Sequence, residues 1–149
     1  MELINQMAED YCMKYSTPLD EILIENQANT MANHPHAQML SGHLQGKLLE
    51  MFSCMVKPEK ILEIGTFTGF SALCLSRGLG ENGVLHTIEI READAETARQ
   101  YFNRSASGGK IKLHVGNALE IIPGINENWD LVFLDADKVS YIEYYELTL

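Results

Sequence analysis

The stretch Lys60-Ile-Leu-Glu-Ile-Gly-Thr-Phe-Thr-Gly-Phe-Ser-Ala-Leu-Cys-Leu75 constrains the fold more than any other part of the chain. Ile61, Leu62 and Ile64 form a short apolar run with one acid, Glu63, inside it. An apolar run of that kind, closed by glycine, is the pattern of a strand buried on both faces of a parallel sheet. Gly65 and Gly69 bracket a tight turn, and Phe70, Leu73 and Leu75 begin a helix. Strand, glycine turn and helix make the first half of a nucleotide-binding unit.

The turn is not a diphosphate loop. Such a loop carries G-x-G-x-x-G, because the backbone must approach a pyrophosphate at the helix N-terminus. Here the spacing is Gly65-x-x-x-Gly69, and Phe67 stands where the second glycine belongs. Glu63 would also repel a diphosphate. A buried, unpaired carboxylate is costly, so Glu63 suits a ligand with an amino group and a positive centre. S-adenosylmethionine carries both, as α-ammonium and sulfonium. The competing reading is a βα turn that holds no ligand, and glycines alone would favour it.

A chain of 149 residues with 46% hydrophobic content is enough for one domain with its own core. The net charge of -10 argues against a nucleic-acid backbone or an anionic membrane as partner. No secretory signal and no membrane-spanning run is expected. Cys12, Cys54 and Cys74 are scattered and odd in number. They read as small core residues in a reducing, cytoplasmic compartment.

Residues 1–15 carry Leu3, Met7, Tyr11 and Tyr15 on one helical stripe. Thr17 and Pro18 predict the cap and first position of a second helix, with Leu19, Ile22, Leu23 and Asn26 on one side and no apolar face after Ala28. Asn33-His34-Pro35-His36 predicts a polar break, since Pro35 keeps the histidines off a common helix face. A third helix follows, with Leu44, Leu48, Phe52 and Met55 as its core face and its methionines as core filler, the segment Met39-Leu40-Ser41-Gly42 at its start excepted. It ends at Lys57-Pro58. Residues 1–57 are thus a helical N-terminal part, and 58–149 an α/β part of the same domain.

After the central turn, residues 84–90 predict a second strand. Glu89 at its end occupies the place where a carboxylate accepts from both hydroxyls of a ribose. The alternative is a solvated acid in the run Glu89, Glu92, Asp94, Glu96. Residues 91–104 predict a helix with Ala95, Ala98 and Phe102 inward, and 110–115 an edge strand. A short helix over 118–122 and a fourth, buried strand over 129–135 follow. The alternating order gives a doubly wound, mainly parallel sheet, with its ligand at the carboxyl ends of the strands.

Met39-Leu-Ser-Gly42, Gln45-Gly46, Leu62-Glu-Ile-Gly-Thr-Phe-Thr-Gly-Phe-Ser71, Gly116-Asn-Ala-Leu119 and Leu134-Asp-Ala-Asp-Lys138 together resemble the cation-dependent O-methyltransferases. That family includes the caffeoyl-CoA and catechol O-methyltransferases. The resemblance implies a Rossmann-like fold, S-adenosylmethionine as cofactor, and a small catechol-like or phenolic hydroxyl as acceptor. It also implies a divalent cation, Mg²⁺ first among them, and a homodimer. It places cofactor contacts at Ser41, Glu63, Gly65, Thr66, Ser71, Glu89, Ala118 and Asp137. It makes Asp135 a cation ligand and Lys138 the general base. Asn117 departs from the family's usual aspartate. The family's Asp-Asn pair on the following strand and its last strands are absent, so a C-terminally truncated chain is expected.

Two further readings stay open on residues alone. One is a catalytically incomplete fragment that binds the cofactor without turnover. The other is a nicotinamide oxidoreductase, against which Phe67 in the glycine loop argues.

Overall fold

A computed structural model describes residues 5–149. Leu3, the first residue of the N-terminal stripe, lies outside them. Three helices come first: α1 (Gln6–Tyr15), α2 (Glu21–Asn33) and α3 (Gly42–Val56). Then β1 (Lys60–Ile64), α4 (Phe70–Ser76), β2 (Val84–Glu89) and α5 (Glu92–Arg104) alternate. The chain continues through β3 (Ile111–Val115), α6 (Ala118–Ile121), β4 (Leu131–Leu134) and α7 (Tyr141–Leu147).

The strands form one parallel sheet in the order β3-β2-β1-β4. Helices cover both faces. On one face Ile61 and Leu85 pack with Leu23 of α2, Leu49 of α3, Leu73 of α4 and Phe102 of α5. On the other, Leu62, Ile64 and Ile88 meet Ala118 of α6, Ile122 and Tyr144 of α7. This double cover explains why β1 is buried from Ile61 to Ile64. Full burial of each such side chain contributes about 1.5–3 kcal/mol. β3 and β4 are the outer strands of the described sheet and are only half buried, so β4 is less enclosed than its apolar run predicts. Asp130 anchors the start of β1, its Oδ2 accepting from the amides of Glu59 and Lys60 at 2.8 and 2.9 Å.

Several helix expectations change. The cap of α2 is Asp20, whose Oδ1 accepts from the Leu23 amide, because the helix begins at Glu21 and Thr17 lies too far before it to cap it. α2 ends at Asn33, at the expected break. Its inner side is polar as well as apolar: Asn26 donates to the Thr68 carbonyl at 2.7 Å, and Thr30 to the Thr68 hydroxyl at 2.9 Å. The core face of α3 is Gly46, Leu49 and Ser53. Leu48, Phe52 and Met55 face outward, as does Met51, while Met39, before the helix, is half exposed and lines the cavity described below. The reason is close packing on α4: a Cβ at Gly46 would stand 2.6 Å from Phe70 Cε1, and the Ser53 hydroxyl donates to the Leu75 carbonyl. Bulkier residues cannot approach that near. α1 buries nothing, so Met7, Tyr11 and Tyr15 form an exposed stripe. Cys12 and Cys54 are exposed as well, and only Cys74 is a core residue. Among the described residues no helix is long and apolar enough to cross a membrane.

Candidate active site

A cavity of ≈ 660 Å³ opens where the strands end: Ile64, Glu89, Gly116 and Asp135 each contribute to its wall. The turn after β1 shapes it. Gly65 has φ +103°, and a Cβ there would lie 2.2 Å from the Asp135 carbonyl oxygen. Only glycine lets the ends of β1 and β4 come so close. The amides of Gly65 and Thr66 both donate to the Ile88 carbonyl, at 3.0 and 3.2 Å, which ties the turn to β2.

Phe67 takes the left-handed conformation, φ +50°, a costly choice for a bulky residue. The turn of the backbone aims its amide at Glu89, which accepts through Oε2 at 2.7 Å. Glu89 Oε1 accepts from the Arg91 amide at 3.0 Å. A carboxylate offers about four acceptor positions. The backbone occupies two and fixes the group, which lines the cavity. Glu89 is 4% exposed, so it is not one of a run of solvated acids. Asp94 is buried too, while Glu92 and Glu96 are exposed.

Of the residues expected at the site, Ser41, Gly65, Thr66, Ser71, Glu89, Ala118, Asp135 and Asp137 line the cavity. Glu63 and Lys138 do not. Glu63 is fully buried behind the turn, where its Oε2 accepts from the Thr87 hydroxyl, itself joined to Thr66 Oγ1. Its Oε1 has no hydrogen-bond partner. Burial raises its pKa to about 7, against the lowering pull of the Ser71 and Thr87 hydroxyls. The carboxylates of Asp135 and Glu89 reinforce burial. Ser71 thus acts as a nearby dipole without reaching the bond geometry that would satisfy Oε1. Lys138 is exposed on the loop after β4.

Asp135 is exposed as a residue, yet its carboxyl loses hydration beside the cavity and its pKa is raised, with the Lys138 ammonium pulling the other way. Asp137 accepts from the Tyr144 hydroxyl at 2.6 Å and from the Ser140 amide at 2.9 Å. These bonds, the tyrosine's first, hold its pKa below the ordinary value. Asn117 serves as the cap of α6, accepting from the Leu119 amide, a role that needs no charge. The described residues bring together no group of three or more His, Cys, Asp or Glu side chains able to hold a metal ion. Asp135 alone does not make a cation site.

Some wall residues escaped sequence reasoning. Ile90 stands 69% exposed directly after Glu89, an apolar shelf at the cavity edge. Arg91 and Tyr144 also line the cavity. An isoleucine following a strand-end acid was the available signal for the first. Nothing local marks the other two.

The sequence model of one family, O-methyltransferase, matches residues 13–149. The chain belongs to the O-methyltransferase family. It is 33% identical over 109 residues to a catechol O-methyltransferase of Niastella koreensis, covering 70% of this chain and 49% of that one. A catechol O-methyltransferase of Mycobacterium tuberculosis is 38% identical over 101 residues, with 67% and 46% covered. The chain spans about half the length of these curated relatives. The crystal structure of the O-methyltransferase TomG from Streptomyces achromogenes, in complex with SAM, superposes with a TM-score of 0.86 at 32% identity, covering 95% of this chain and 65% of that one. The match bears out the doubly wound, Rossmann-like architecture.

Proposed function

We propose that the cavity binds S-adenosylmethionine, and that the chain serves transfer of its methyl group to a hydroxyl of a small catechol-like or phenolic acceptor. The observation that carries this reading is Glu89: a buried carboxylate at the end of β2, fixed by two backbone amides, with acceptor positions left toward the cavity. That arrangement suits a ribose diol. Ile90 beside it offers an apolar face to a purine, and Ala118 at the start of α6 leaves room for one.

When bound, the cofactor supplies an electrophilic methyl on a sulfonium sulfur. Glu89 orients the nucleoside end by accepting from its hydroxyls. Gly65, Thr66 and Ser71 form the wall beside the remaining part of the ligand. Asp137, held by Tyr144, presents a carboxylate to the same cavity. Asp135 orients the acceptor hydroxyl, and Lys138, on the loop after β4, is the base that takes its proton. A divalent cation, Mg²⁺ by resemblance, belongs to this reading only with oxygen ligands that the described residues do not supply.

The exposed apolar stripes on α1 and α3 support a homodimer, the net charge of -10 speaks against nucleic-acid partners, and the free cysteines Cys12, Cys54 and Cys74 support a reducing, cytoplasmic setting. A second reading, cofactor binding without turnover, is favoured by one observation: Lys138 stands outside the cavity wall.

The test is calorimetric titration with S-adenosylhomocysteine and with NAD, in wild type and in Glu89→Ala. Loss of the charge-assisted bonds should weaken S-adenosylhomocysteine by about 1.5–3 kcal/mol. NAD bound more tightly than S-adenosylhomocysteine would overturn the reading. A methyl-transfer assay with a catechol separates turnover from binding alone.

A further inference from the structure

Glu89 is embedded in a ring of contacts that reaches back to the C-terminus of α2. His34 sits there, its amide donating to the Thr30 carbonyl. Its Nδ1 accepts from the His36 amide at 3.0 Å, so the ring's proton is on Nε2. Nε2 therefore donates to Asp94 Oδ1, 2.9 Å away and 60 residues along the chain. Asp94 lies in the first turn of α5, where the helix dipole favours a carboxylate. Its other oxygen, Oδ2, is 2.6 Å from Arg91 Nε. That contact is an ion pair without hydrogen-bond alignment, since neither atom has a hydrogen-bonded partner. Coulombic attraction holds regardless of alignment. The same Arg91 Nε is 3.6 Å from Glu89 Oε1. Its guanidinium stands 5.6 Å from the Phe67 ring, which His34 meets edge-on at 4.5 Å. Phe67 in turn donates its amide to Glu89.

Two carboxylates thus compete for one guanidinium, and Asp94 holds it nearer. Were Arg91 released, the nearest anion would be Glu89, and a guanidinium paired there would fill the acceptor positions that face the cavity. What keeps Asp94 turned toward Arg91 is the bond from His34 to its other oxygen. We propose that His34, which does not itself line the cavity, is a positioning residue that keeps Glu89 free to receive a ribose diol by holding Asp94 against Arg91. The proposal rests on reading the cavity as an S-adenosylmethionine site.

The experiment is a double-mutant cycle on the 149-residue chain, with S-adenosylhomocysteine affinity as readout. His34→Ala should weaken binding about tenfold, the scale of one lost hydrogen bond. In a Glu89→Ala background it should add no further loss, because the group it protects is gone. His34→Gln, whose amide can still donate to Asp94, should restore most of the affinity. Asp94→Asn keeps the shape but gives up the charge that holds Arg91, and should couple to Glu89→Ala in the same way. It also serves if His34→Ala does not fold. Losses that add independently of Glu89, or unchanged affinity in folded His34→Ala and Asp94→Asn, would overturn the positioning role while leaving the cofactor reading intact. A wild-type chain that fails to bind S-adenosylhomocysteine would overturn both.

Discussion

Glu63→Gln tests the electrostatics of the site's foundation. Glu63 is fully buried, and Oε1 is unpartnered. Burial lifts its pKa from the ordinary 4.5 to about 7. In the unfolded chain the carboxyl returns to the ordinary value, so between these two pH values the folded chain holds a proton that the unfolded chain has released. The stabilising contribution of Glu63 is therefore complete below about pH 4.5 and is lost as pH rises to about 7. At about 1.4 kcal/mol per pKa unit, the loss is on the order of 3 kcal/mol. Glutamine has the same shape, can still accept from Thr87, and does not ionise. The difference in unfolding free energy, Glu63→Gln minus wild type, should rise by that amount across the interval and level off above it. Urea unfolding followed by circular dichroism from pH 4.5 to 8.5 measures it directly. Taking the difference between the two chains cancels every other titrating group that the substitution leaves alone. A difference that stays constant across the range would refute the reasoning, since it would mean that Glu63 is as well solvated in the folded chain as in the unfolded one.

Gly65→Ala should destabilise the fold by more than the roughly 1–3 kcal/mol of a strained backbone alone, because its Cβ would meet the Asp135 carbonyl; a melting curve like wild type would contradict the close approach of β1 and β4. His86, stacked on His114 and edge-on to Trp129, has its pKa lowered to about 4, first by burial and then by the neighbouring charges. The unfolded ring protonates near its ordinary 6.5, so this group costs stability as pH falls from about 6.5 toward 4; an imidazole NMR titration with its midpoint near 6.5 would contradict this. In a form of the protein that turns over, Lys138→Ala should lower turnover more than cofactor affinity; a change in affinity alone would remove Lys138 from the chemistry.

The chain's own pattern determined the strand-turn-helix at its centre, the alternating β/α order and the grouping of Gly65, Glu89, Ala118 and Asp135 at one end of the sheet. These depend on local rules: glycine at a turn, apolar runs in buried strands, acids where strands stop. The family motifs added an expected cofactor that residues alone only hinted at. Tertiary structure decided what has more than one local answer. α3 is apolar on two sides, and the side that packs was chosen by Gly46 and Ser53, because α4 comes too near for Leu48 or Phe52. Glu89 and Asp94 lie in one run with Glu92 and Glu96, and their burial depends on Phe67 and His34 arriving from elsewhere. Glu63 was legible as a buried acid, but not its hydrogen bond to Thr87 of β2 or its place outside the cavity wall, which depend on how β1 and β2 pair. A side chain's period along the chain names its face, and only the partners that meet that face decide whether it is core, wall or surface.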